Sequence, residues 1–247
     1  MLNYLRAEIY RVLHKKSLFI YFGIIALLYI GFAFMRLSDA DDHSVASDAS
    51  QFFFLLPAVI GGYLFAALFN DDLNSKNLTT LIGFGMSKAK IVLSKLVLTL
   101  LFGAVIFGIA PLFMDAVYAI FGHPASAQAM SAAYTEALVK LLAMFAYTAI
   151  SAIVVYGLQR PTFAIVVYLL LSLGVVSQLL GLILSWDMIA SLLPGLSEHL
   201  ITGITTKIQL GLLVDSPIVM PIVEYGIYIM AATVLSVVAF NKKELEF

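Results

Sequence analysis

Long apolar runs separated by short polar gaps set the pattern of this chain. Six runs stand out, at about 18–35, 51–69, 91–114, 137–158, 162–184 and 217–240. A helix needs roughly 20 predominantly apolar residues to cross a bilayer core, and each run is near that length. The apolar positions are continuous rather than alternating, which predicts helices instead of barrel strands. Between these runs lie three weaker patterns, each with its own periodicity.

The first is "MLNYLRAEIYRVLHKK" with Ser17. Leu2, Leu5, Ile9, Val12 and Leu13 recur at helical spacing, while Arg6, Arg11, His14 and Lys15 fall elsewhere. Basic charge beside an apolar stripe suits a helix lying in the plane of a membrane interface. The plainer alternative is a basic leader that only orients the first run. That run is longer than a usual signal core, and only a poor cleavage site follows near Ala46 to Ser50, so it reads as an uncleaved span.

The second is "NDDLNSKNLTTLIGFGMSKAKIVLSKL", residues 70–96. Asp71 or Asp72 can cap a short helix. Leu73, Leu78, Leu81 and Ile82 then form an apolar stripe over about 72–82. Gly83 and Gly85 end it, and Ser87 caps a new helix that continues into the third run. The pattern predicts a short amphipathic helix parallel to the membrane, with one face open to a partner.

The third is "SWDMIASLLPGLSEHLITGITTKIQLGLLVDS", Ser185 to Ser216. Leu192, Leu193, Leu196, Leu200, Ile201 and Ile204 recur at roughly helical spacing around a break at Pro194-Gly195. Two short helices dipping into one leaflet fit this pattern, and so does an amphipathic surface loop. Within the longer runs, Gly108 and Pro111 predict an interruption of the third. The pairs Gly62/Ala66 and Ser177/Gly181 mark the second and fifth runs as candidates for close helix contact, favouring a dimer interface there.

Composition narrows the class. The chain is 62% hydrophobic and only 12% charged, against about 45–50% and about 25% in an ordinary soluble domain. With no cysteine there is no disulfide framework, and the net charge of -1 gives no reason to expect a nucleic-acid partner. Arg6, Arg11, Lys15, Lys16, Lys76, Lys88, Lys90, Lys95, Arg160, Lys242 and Lys243 all fall on one side of a six-span arrangement. Arg36, Lys140 and Lys207 fall on the other. This asymmetry predicts both termini in the cytoplasm. The opposite side is acidic, with Asp39, Asp41, Asp42 and Asp48 in one loop and Asp187, Glu198 and Asp215 in another.

Catalytic chemistry is hard to find. No G-x-x-x-x-G-K-[ST] loop occurs; "GFGMSKAK" lacks its spacing and its preceding strand. There is no H-E-x-x-H, no G-x-S-x-G and no pair of carboxylates one turn apart within an apolar run. No catalytic residue, resident metal or cofactor is expected. Glu224, inside "PIVMPIVEYGIYIM", is the acid clearly within a run. It is a candidate gate or substrate residue, or a carboxyl group hydrogen-bonded to a neighbouring helix. Lys95, just inside the third run, is expected to snorkel to the interface rather than form a buried pair.

Asp72, Lys76, Asn77, Thr79, Leu81, Gly85, Ser87, Lys88, Ile91, Ser94 and Lys95 together resemble a pattern in the permease subunit of ABC-2 type ABC transporters, closest to small six-span bacterial permeases of peptide or bacteriocin export or immunity. Leu78 stands where that family has glycine, and Lys88 where it has arginine. The resemblance implies an all-α integral membrane protein over residues 1–247, with six spans, an N-terminal connecting helix and external re-entrant helices before the last span. It implies a coupling helix at about Asp72 to Ile82 seated on a separate cytoplasmic ATPase, present in two copies and carrying the ATP and Mg. A second permease subunit and membrane lipid complete the expected partners, in a bacterial cell membrane. Two other classes stay open: a non-transporting immunity or sensor protein, and an ion-coupled carrier.

Overall fold

The structure is a computed structural model that describes residues 2–36, 42–70, 77–186, 195–213 and 217–243. The described residues are helical throughout, with no strand among them. Ten helices run in chain order: α1 (Leu2–Leu13), α2 (Lys16–Arg36), α3 (Asp42–Phe65), α4 (Asn77–Gly83), α5 (Lys88–Ile120), α6 (Ala127–Leu158), α7 (Pro161–Ser172), α8 (Val175–Leu184), α9 (Ile201–Leu213) and α10 (Val219–Lys242). A π-helical turn, Ala66–Asn70, extends α3, and a 3-10 turn, Leu196–His199, precedes α9.

Five of these helices are long and apolar enough to cross a membrane: α2, α3 with its π turn from Ser50, α5, α6 and α10. The bent pair α7 and α8 makes a sixth if it counts as one span. At 1.5 Å per residue, α5 and α6 are each about 50 Å long, well beyond a hydrocarbon core of about 30 Å. The interruption expected at Gly108 and Pro111 does not occur, and α5 continues through both to Ile120. A proline inside a helix removes one backbone bond, and neighbouring helices can absorb that loss.

Helix α6 is the centre of the bundle, packed by α3, α5, α7, α9 and α10. Its buried face is rich in alanine, with Ala133, Ala137, Ala143, Ala146, Ala149 and Ala152 all buried. Small side chains let surrounding backbones approach, so one helix can touch five others. Helix α2 lies outermost and is held to α3 by aromatic contacts. Tyr21 stacks on Tyr63 with ring centroids 4.7 Å apart and donates to Val59 O at 2.7 Å, and Tyr29 packs on Phe52.

Helices α3 and α7 meet through a glycine. A Cβ on Gly61 would sit 1.9 Å from Tyr168 Oη, and Tyr168 donates to Pro57 O at 2.6 Å. Gly62 faces Leu169 of α7 within this same chain. Gly62 therefore serves a contact within the chain.

The fifth run is not straight. Gly174 adopts φ +76° and α8 leaves α7 at 62°. Downstream, Ile201, Ile204, Thr205 and Ile208 form the buried stripe of α9 against the bundle. The break expected at Pro194-Gly195 is seen at Gly195, with φ +77°. Pro194 and the stretch 187–194 lie outside the described residues, as do the acids Asp39, Asp41, Asp187 and Asp215.

Candidate functional site

Both described ends of the chain, the start of α1 and the end of α10, lie at one end of the bundle. The starts of α2, α5 and α7 and the ends of α3 and α6 meet them there. The site is built at this end from α1, the π turn, α4 and the first turns of α5.

In α1, Leu5, Ile9 and Val12 face the bundle, and Val12 is fully buried. Leu13 is exposed, against the expectation that it shares their face. The fourth member of the buried stripe is Glu8, placed between Leu5 and Val12 at i+3 and i−4. Arg6 is exposed as expected, and the side chain of Leu2 lies outside the description.

Glu8 is the centre of a charge network that the sequence reading did not identify. Lys95 Nζ donates to Glu8 Oε2 at 2.8 Å, and Arg11 Nη2 donates to the same oxygen at 2.7 Å. Arg11 Nη2 also donates to Ala67 O at 3.3 Å, within the π turn that ends α3. Lys95 Nζ lies 5.5 Å from the centroid of the Tyr4 ring. Lys95 is 1% exposed, so it forms a buried pair and does not snorkel. The reason is tertiary: α1 folds across the start of α5 and supplies a carboxylate where water would otherwise be needed. Burial pushes the Glu8 carboxyl up, but the Lys95 and Arg11 charges and hydrogen bonds outweigh it and hold it below its ordinary value. The sequence did carry a signal, since an acid inside an apolar helical stripe requires a partner.

Helix α4 ends as its glycines predict. Gly85 takes φ +82°, its N–H bonds to Ile82 O at 2.9 Å, and Met86 N–H bonds to Leu81 O at 3.1 Å. These paired bonds are the Schellman closure. Ser87 then caps α5 by accepting from Lys90 N–H at 3.4 Å.

The apolar face of α4 departs from the expected open stripe at Leu78, while Leu81 and Ile82 remain partly exposed. Leu78 is only 2% exposed and belongs to the core, while Leu81 and Ile82 are half-buried against it. Thr79, Thr80 and Gly83 are exposed, and Phe84 at the tip is 85% exposed. The described part of the helix starts at Asn77, not at about 72. Asp71, Asp72, Leu73 and Lys76 lie outside the described residues, as does the side chain of Asn77.

Lys88 is engaged within the chain. Its Nζ donates to Phe240 O and Lys243 O, both at 2.8 Å, and sits 5.1 Å from the Phe240 ring centroid. A cation on the last carbonyls of α10 satisfies groups that have no intrahelical partner.

Glu224, at the opposite end, is not part of this assembly. Its Oε2 lies 3.1 Å from His199 Nδ1 of the 3-10 turn, and Tyr228 Oη donates to His199 O at 2.8 Å. Nearby, Lys207 pairs with Glu198 at 3.0 Å. Among the described residues no group of three or more His, Asp or Glu is placed to hold a metal ion. A scan against models of known protein families finds no match to this chain, and a search of curated proteins finds no relative.

Proposed function

We propose that this chain is the membrane-spanning permease subunit of an ATP-driven exporter of the ABC-2 type, paired with a separate ATPase. The observation that carries the reading is the Glu8, Lys95 and Arg11 network. It joins α1 to the helices on both sides of α4, so that α1, α4, the end of α3 and the start of α5 form one mechanical unit. A force applied to α4 by a partner is then transmitted to α3 and α5 together, as alternation between inward-open and outward-open states requires. The basic residues clustered at this end favour a cytoplasmic location for it.

In this reading α4 is the coupling helix and α1 the connecting helix. Two copies of the ATPase hold the ATP and Mg, and two permease subunits enclose the path of a hydrophobic or amphipathic substrate. Leu78 anchors α4 from inside, whereas Phe84, Thr79 and Thr80 offer its outer surface to the partner. Helix α8, with the 3-10 turn and α9, forms the external side of the fold, and α7 leads to it from the other end.

Extraction from membranes in mild detergent tests the reading directly. The expected outcome is recovery of a nucleotide-binding protein with this chain, weakened by Phe84→Ala by about 1–3 kcal/mol if the ring is buried at the contact. Recovery of no such protein, with or without ATP, removes the proposal. Transport that continues without ATP but stops when the proton gradient collapses would favour an ion-coupled carrier instead.

A further inference from the structure

A cavity of about 190 Å³ lies inside the bundle at the bend of the fifth apolar run. It is walled by α3, α6, the turn at Gly174 and α9. In a chain this apolar, its polar lining is unusual: Lys140, Tyr147, Thr202 and Gln209 all face it. The space is several times that of one water molecule.

The polar groups around it are unevenly satisfied. Tyr147 is 6% exposed and lines the cavity, with no hydrogen bond to another described side chain or carbonyl. Gln209 likewise makes no side-chain hydrogen bond there. Lys140 makes none either. Its Nζ lies 3.8 Å from Glu136 Oε1, too long for a hydrogen bond, and 5.7 Å from the Phe54 ring centroid. Glu136 Oε1 instead accepts from Ser50 Oγ at 3.1 Å. By contrast Thr205, Thr206 and Ser172 donate to backbone carbonyls of their own helices.

What is left over is a set of groups in which donors outnumber acceptors: the Lys140 ammonium only donates, while Tyr147 and Gln209 can donate and accept. An ammonium carries three N–H groups, a phenol one O–H and a primary amide two N–H groups. Donors in apolar surroundings are costly unless an acceptor meets them. We infer that this cavity binds the anionic head of an amphiphile, a carboxylate or phosphate on an apolar chain, with Lys140 as the charge partner and Tyr147 and Gln209 as donors. An amphiphile fits better than a free ion, because one part of the wall is apolar while the hydroxyls of Ser172, Thr205 and Thr206, which also line it, are already bonded to backbone. Phe54, Pro57 and Ala143 line it, and Phe54 and Thr206 are exposed at its rim. An apolar chain can leave along that rim while the head stays inside. Glu136 competes for the same ammonium, so an entering anion displaces an already loose pair.

The inference does not depend on ATP-driven export, because it concerns binding by this chain alone. The test uses the purified full chain in nanodiscs of zwitterionic lipid, with radiolabelled dodecanoate as probe. Saturable binding of about one dodecanoate per chain is expected, with dodecanol and dodecylamine at least about tenfold weaker, since the lost contact is charge-assisted. Lys140→Gln should weaken dodecanoate by about tenfold or more, Tyr147→Phe by a few-fold, and Glu136→Gln should strengthen it. Tyr147→Phe removes a single oxygen, so it remains informative if Lys140→Gln fails to fold. Competition by dodecyl phosphate and by phosphatidylglycerol nanodiscs separates a soluble amphiphile from a lipid head as the natural source. Equal affinity for dodecanol, or unchanged dodecanoate binding in the Tyr147→Phe and Glu136→Gln variants, overturns the inference.

Discussion

The two ends of the bundle both carry acid–base pairs, but they are built differently. At the end built from α1 and the first turns of α5, Glu8 shares one oxygen between Lys95 and Arg11, and Lys95 is sealed from solvent. At the other end, His199 with Glu224 and Lys207 with Glu198 stay partly or largely exposed. Water can replace a partner in the second case and cannot in the first. Removing one member of a buried set leaves an uncompensated charge, whereas exposed pairs contribute little. The α1 end therefore ties α1, α3 and α5 together through buried charge, whereas the pairs at the opposite end can exchange partners with water.

The largest effect should come from Glu8→Ala. It leaves Lys95 buried beside Arg11, two cations without their acid, and should destabilise the purified chain by about 3–5 kcal/mol. Thermal unfolding in detergent measures it. Glu8→Ala combined with Lys95→Met should recover most of the loss, because both charges are then gone. A single variant as stable as wild type would erase the contrast between the ends.

The same carboxyl gives a pH signature. Its value in the fold is lowered, so its contribution is fully present above the ordinary value of 4.5 and is lost as pH falls through the folded-state value. Protection of α1 amides against hydrogen exchange, relative to the intrinsic rate at each pH, should stay constant between pH 7 and 5 and fall only below that window. Loosening of α1 already at pH 6 would mean that another group controls it.

Leu78→Ala should follow, at about 2–3 kcal/mol, because it opens a cavity under a short helix. The loss should appear in the isolated chain, without any partner, and should be read as faster proteolysis of residues 77–86. Phe84→Ala should leave that proteolysis unchanged, since its ring stands outside the fold.

At the opposite end, Glu224→Gln keeps a hydrogen-bonding group beside His199 and should shift stability by no more than about 1 kcal/mol. Lys207→Ala should fall within measurement error. A large stability loss from either, in the same thermal assay, would show that the opposite end is also rigidly fastened. Glu224→Gln that assembles normally but stops transport would give that carboxylate a gating role.

Much of the architecture was legible in the pattern of residues. Continuous apolar runs fixed the helical class. Gly85 and Ser87 announced the end of α4 and the start of α5, because left-handed φ and side-chain capping are local requirements that a few residues satisfy alone. The 3.6-residue period also identified α1 as amphipathic. It placed Leu5, Ile9 and Val12 correctly and missed the role of Glu8, which lies on the same stripe.

What escaped the sequence shares a physical cause. Lys95 alone reads as a side chain that reaches for water, and Glu8 is 87 residues away. Their pairing depends on how α1 folds across α5, which no local pattern encodes. Gly62 reads only as a close helix contact, and its partners, Tyr168 and Leu169 of α7, appear only in the fold. Lys140, Tyr147 and Gln209 sit on two helices, and only packing around the bend at Gly174 gathers them in one cavity. Periodicity and composition determined which segments are helical and which faces are apolar, because those depend on residues one or two turns apart. The tertiary structure alone decided which charges are buried and with whom, because desolvation is set by every neighbour in space and not by neighbours in the chain.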